Sequence, residues 1–105
     1  EKKENKISKI DSLKIEVRLL TKLDISERKL PDNTKGLVIT KILPDSPINY
    51  LQVNDVIIEV QKSEIKSVKT LEDIVNKTLK SEEATLLIVI YDNQNQRRYL
   101  GVKLK

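Results

Sequence analysis

The chain has no cysteine and no histidine. Without cysteine there is no disulfide, no thiolate nucleophile and no cysteine-ligated zinc. Without histidine there is neither a Ser-His-Asp triad nor an imidazole metal site. Carboxylates by themselves can serve a glycosidase or bind Ca²⁺, but Asp and Glu are scattered and no Asp-x-Asp-x-Asp-Gly loop occurs. The chain is therefore expected to carry no catalytic residue, no metal and no cofactor of its own. Phe, Trp and Met are also absent, and glycine occurs only twice, so residues less suited to tight turns must make most of them. No apolar run approaches the ~18 residues of a membrane span, and membrane insertion is not expected. The opening Glu-Lys-Lys-Glu-Asn-Lys has no apolar segment of the kind a signal peptide needs. The first residue is not Met, and the chain reads as a piece of something longer.

What is present is a chain of 105 residues, the size of one domain with one core. Its hydrophobic fraction, 38%, comes almost wholly from Leu, Ile and Val, which suits a β-rich or mixed domain and argues against disorder. Twenty Lys and Arg face sixteen Asp and Glu, a net charge of +4. A nucleic-acid binder concentrates such charge and interleaves aromatics. Here lysines are spread along the chain, usually near an acid, and a solvated surface is the expected reading, with no nucleic-acid partner.

Residues 1–11 are polar, with Ile7 and Ile10 the only apolar points, and read as a linker or frayed terminus. A domain is expected over 12–105. From Leu13 to Leu19 apolar residues alternate with Lys14, Glu16 and Arg18, the period of a half-buried strand. A short helix over Ile25–Leu30 is expected, with Asp24 as N-cap and Pro31 after it. Gly36–Leu43 is a second strand, apolar at consecutive positions and so expected to be covered on both faces. Pro44-Asp45-Ser46-Pro47 stops it, and Ser46–Leu51 reads as one helical turn. Asn54 stands where the chain must turn sharply, and Asn tolerates the left-handed region well. Asp55–Gln61 is a third strand, and Glu64–Lys66 a tiny one. Ser67–Lys80 is the long helix, capped by Ser67 and apolar at Val68, Leu71, Ile74, Val75 and Leu79. Ala84–Tyr91 and Gln96–Leu104 form a terminal hairpin around Asp92–Asn95.

The segments GLVITKILPDSPI, LQVNDVIIEV and IKSVKTLEDI resemble a PDZ domain, with its strand, its "hhPxSPA" turn, its "GLxxGDhIhxV" strand and its helix opening on serine. The resemblance runs from Leu13 to Leu104. A short helix before KGLVIT, with Leu20-Thr21 to Leu30-Pro31 following "LTxELxxxLxLP", is similar to the second, C-terminal PDZ domain of bacterial Do-like (HtrA-family) serine proteases. PDZ domains of C-terminal processing and site-2 proteases are neighbouring possibilities. The resemblance implies an α+β, mainly β fold: a PDZ-like, partly open β-barrel or sandwich of five to six strands, circularly permuted in the bacterial manner, with one long and two short helices. It also implies a periplasmic parent whose catalytic Ser, His and Asp lie outside this chain. Two departures stand out. Asn54 replaces the glycine of "GD", and Lys14 replaces the glycine of the carboxylate-binding loop, here Leu13-Lys14-Ile15.

By that resemblance the domain binds by β-augmentation, an extended peptide adding itself to an open sheet edge. The edge is expected at Leu13, Lys14, Ile15, Glu16 and Val17, where backbone N–H groups of Leu13, Lys14 and Ile15 would receive a peptide carboxylate. Val68, Glu72 and Val75 would form the helix wall, while Leu71, Ile74 and Thr78 turn to the core. Each of these residues also has a plain explanation: Ile15, Val17 and Val75 as core contacts, Glu72 as a solvated charge, Tyr50 and Tyr99 as rim packing. The expected partners are unfolded or C-terminal peptides of substrate proteins and other subunits or PDZ domains of the parent. A competing reading makes the domain an assembly module with a degenerate groove, its contacts carried by the Ile25–Leu30 helix.

Overall fold

The computed structural model describes residues 7–48, 51–82 and 85–103. Alternation at the front of the chain builds a strand, but a shorter one than its pattern suggests, because Lys14 turns out of the extended region at φ 55°. The elements are β1 (Ser8–Ile10), β2 (Ile15–Leu19), α1 (Lys22–Arg28), β3 (Leu37–Ile42), β4 (Val56–Val60), β5 (Ser63–Glu64), α2 (Val68–Leu79), β6 (Thr85–Tyr91) and β7 (Arg97–Lys103). All pairings are antiparallel, in the order β1-β2-β3-β4-β6-β7, with β5 attached to β4. The expected α+β, mainly β class stands, with seven strands among the described residues where five to six were expected.

The core lies on both sides of this sheet. The larger cluster joins Ile15, Val17, Leu37, Ile39, Ile57, Val60, Leu86, Ile88 and Ile90 to Leu71 and Val75 of α2. A smaller one gathers Val38, Val56, Ile58 and Val89 on the opposite face. The unbroken apolar run of β3 is thus explained: alternate residues point to opposite faces, and both faces are covered.

Gly36 is required where β3 approaches β4, since a Cβ there would stand 2.7 Å from the Ile57 carbonyl oxygen. The left-handed positions among the described residues, by contrast, are taken by Lys14, Lys29, Asn54, Gln61, Lys62 and Asn95, and neither glycine has a positive φ. Gln61 and Lys62, at φ 55° and 66°, close the two-residue turn between the paired Val60 and Ser63. Such a turn needs positive φ at both central residues.

Three boundaries differ from expectation. α1 begins three residues earlier, because Thr21 and not Asp24 is its N-cap: Thr21 Oγ1 accepts the Asp24 N–H at 3.1 Å while Asp24 accepts the Thr21 N–H at 2.8 Å. This reciprocal box needs an acid at the third helical position, which is where Asp24 sits. The tiny strand is Ser63–Glu64, placed by its pairing with Glu59 and Val60. Ser8–Ile10, within the segment read as a linker, forms β1, and Ile10 lies in the core at 1% exposure. The rest of the linker reading, Glu1–Lys6, lies outside the described residues, as do Asn49 and Tyr50 of the Ser46–Leu51 turn, Ala84 at the start of one expected strand and Leu104 at the end of the other.

Candidate functional site

The loop Leu13-Lys14-Ile15 is held from three directions. Ser46, of the Pro-Asp-Ser-Pro turn, donates its hydroxyl to the Leu13 carbonyl at 2.6 Å and accepts the Ile48 N–H at 3.1 Å. The Leu43 N–H donates to the Lys14 carbonyl at 3.0 Å. The Lys14 ammonium donates to Asp45 at 2.7 Å, and that contact holds the Asp45 carboxyl below its ordinary range. Lys14 thus adopts a positive φ of 55°, at a cost of about 1 kcal/mol or more, while Leu43, Asp45 and Ser46 hold the loop in place. Its charge points to Asp45.

Beyond the loop, Leu13, Ile15 and Val17 are fully buried, Lys14 is exposed and Glu16 is half-buried. The inward residues of β2 are therefore part of the core. On α2, Val75 is buried, Val68 half-buried and Glu72 exposed. Leu71 and Thr78 face the core as expected, and Ile74, half-buried, packs against it. The Ser67 hydroxyl accepts the Thr70 N–H at 3.2 Å and caps the helix. The Ser12 hydroxyl donates to Asn76 Oδ1 at 3.3 Å, placing the turn before the loop beside the C-terminal half of α2. Strand, loop and helix are thus neighbours, and α2 contacts β2.

The expected open edge is a correction. β2 is paired on one side with β3 and on the other with β1, in the register Ser8 to Val17, Lys9 to Glu16 and Ile10 to Ile15. The Leu13 N–H, one of the three expected to receive a carboxylate, donates instead to the Ile10 carbonyl at 3.2 Å. Sequence reasoning missed β1 because three residues are too few to show alternation. The only signal was Ile10, five positions before Ile15 with Asp11-Ser12 between them.

The far end of β2 is clamped separately. Arg18 makes a bidentate pair with Asp24 at 2.6 and 3.0 Å, and Thr21 donates both its N–H and its hydroxyl to the same carboxylate. The Arg18 hydrogen bond, helped by those of Thr21, holds the Asp24 carboxyl at about 2. Asp55, at the start of β4, accepts the Gln52 N–H at 2.9 Å, yet burial pushes its carboxyl up. Among the described basic residues, Lys14, Arg18, Arg97 and Arg98 are each paired with an acid.

No family model matches the sequence, and no curated protein does. Solved structures do. A structure of the HtrA-type protease AlgW with a decapeptide is similar at a TM-score of 0.67 and 25% identity. A structure of an AlgW variant with a decapeptide is similar at 0.69 and 22%. Each match covers 87% of this chain and 27% of the other, so this chain corresponds to about a quarter of those proteins. The likeness is that of a PDZ-like domain.

Proposed function

We propose that this chain is a non-catalytic PDZ domain, the second and C-terminal one, of a periplasmic Do-like serine protease. In this reading it takes up extended or C-terminal polypeptide segments at β2 by strand addition, which requires β1 to leave that edge, and so presents substrate to the protease or regulates it. The reading is carried by one observation above the rest: an α2–β2 pair with a three-point-anchored left-handed residue in its loop, on a fold similar to a protease solved with a peptide. Without histidine or cysteine the chain has neither a Ser-His-Asp triad nor a thiolate, and in this reading the parent supplies the chemistry. Ordering a flexible peptide offsets much of the apolar burial, and binding is expected to be weak, in the micromolar range.

A second reading, inter-subunit assembly, is favoured by Leu23, which stands 66% exposed on α1. The two separate in one titration. An isotopically labelled chain is mixed with decapeptides ending in an aliphatic residue and a free carboxylate, and amide shifts are followed by NMR. Peptide capture predicts shifts at Leu13–Val17 and along Val68, Glu72 and Val75, with amidated peptides weaker. Concentration-dependent shifts confined to α1, with none at β2, would replace it by assembly.

A further inference from the structure

The edge of β2 that a peptide would use is covered by a segment of the same chain, and the manner of covering is specific. A peptide whose carboxylate sits at Leu13–Ile15, at the start of β2, and whose body lies alongside β2 must run antiparallel to it. β1 runs in that direction, with its last residue, Ile10, at the loop. The Ile10 carbonyl accepts the Leu13 N–H where a terminal carboxylate oxygen would. Ile10 lies opposite Ile15 and is buried at 1% exposure, the place of an aliphatic terminal side chain. Ser8 shares its inward face two residues back, and Lys9 points outward opposite Glu16. We propose that β1 is a resident pseudo-ligand, Ser8-Lys9-Ile10 standing in for the last three residues of a bound peptide, and that capture of an extended segment proceeds by its exchange for β1.

This rests on the peptide-capture reading above and says how that site is regulated. Exchange is physically accessible because β1 is held by three residue pairs and a short turn, whereas β2 keeps its pairing with β3 and its Arg18–Asp24 clamp when β1 leaves. While β1 is docked, the apparent affinity for a competing strand falls by the fraction of molecules in which it is open.

Deleting β1 would also remove Ile10 from the core, so the test keeps the whole chain. Lys9→Cys with Glu16→Cys places a thiol pair across directly opposed positions, about 4.5–5.5 Å apart between Cα atoms in any antiparallel pair and within disulfide reach. The native chain has no cysteine to interfere. Fluorescein-labelled decapeptides with an aliphatic C-terminal residue are titrated into the oxidised and reduced forms of this one protein, so side-chain changes cancel. The proposal expects the reduced form to bind at least about tenfold more tightly, corresponding to an open fraction restored on release. It also expects saturating peptide to strip hydrogen-exchange protection from the β1 amides while leaving β3 protected. Equal or tighter binding by the oxidised form, or full β1 protection in the complex, overturns the exchange and leaves peptide capture standing elsewhere on the domain. Binding by neither form overturns the capture reading itself.

Discussion

At one end of the sheet β7 pairs with β6 over seven consecutive residues, from Thr85 opposite Lys103 to Tyr91 opposite Arg97. At the other, β1 holds β2 over three. The long hairpin carries exposed apolar surface: Leu87 and Tyr99 are 48% and 71% exposed beside a depression of about 240 Å³ that Glu59, Lys62 and Gly101 also line. The short one exposes Ile7, 53% exposed just before β1, while its inward residues Leu13, Ile15 and Val17 are fully buried. Exposed hydrophobicity therefore does not by itself mark the site here. The end that looks sticky is rigidly paired, and the end that has the loop, the helix and the ligand-like direction is closed by a small part. Stability is not uniform across a structure, and elements that must move come from the weakly held regions.

The comparison breaks most visibly through two isoleucines of equal burial. Ile10 and Ile88 are each 1% exposed and belong to the same core cluster. Truncating a buried isoleucine to alanine costs about 2–5 kcal/mol when the element can only unfold with the whole. Ile88→Ala is expected near the middle of that range, about 3–4 kcal/mol by urea unfolding. Ile10→Ala is expected to cost clearly less, about 1–2 kcal/mol, because β1 can detach and leave a relaxed remainder. It should also speed exchange of the β1 amides without touching those of β6. Equal losses for the two variants would mean that β1 is as integral as the hairpin, and the contrast between the edges would be gone.

If β1 is expendable, something else must hold β2, and the Arg18–Asp24 clamp at its far end is the candidate. Asp24→Ala removes an N3 cap partner and leaves the guanidinium of a half-buried arginine without its carboxylate. The expected loss is about 2 kcal/mol at neutral pH, the value of holding a carboxyl at about 2 that ordinarily titrates at 3.8. Because the folded value is depressed, this stability is fully present above about pH 4 and is lost as pH falls from there toward 2. The difference between wild type and Asp24→Ala, measured by unfolding at a series of pH values, should therefore shrink across that window. A difference independent of pH would show that the pair adds nothing beyond the helix cap.

How much of this was legible in the sequence follows the same division. β3, β4, α2 and the β6–β7 hairpin are long enough for their periodicity to average over many side chains, and their expected bounds lie within a residue or two of the observed ones. Asn54 was legible because an asparagine at a sharp turn has a physical reason to be there, and its φ is 81°. β1 was not legible: three residues give no period, and pairing between Ile10 and Ile15 is a property of the docked hairpin. The start of α1 was misplaced for a related reason. Asp24 satisfies both the N-cap and the N3 preference, and only the arginine on β2 and the hydroxyl of Thr21 choose between them. In the candidate site the residue types were readable in order, but their exposure was not, because whether a strand edge is open depends on what the rest of the chain lays against it.

The smallest expected effect uses the two glycines, one beside the central β3 and one on the terminal β7. At Gly36 an added Cβ would meet the Ile57 carbonyl oxygen at 2.7 Å and a Val56 methyl at 2.9 Å, backbone and packed side chain that cannot both retreat. At Gly101, on β7, an added Cβ meets nothing within 4 Å, and its φ is not in the left-handed region. Gly101→Thr should therefore stabilise the hairpin edge by about 0.5–1 kcal/mol through strand preference and lost chain entropy. It should leave peptide affinity and β1 exchange unchanged, since β7 lies at the opposite end of the strand order. A Gly101→Thr chain whose peptide affinity falls in step with its added stability would instead mean that the two edges open together, and that strand exchange at β1 draws on the motion of the whole sheet.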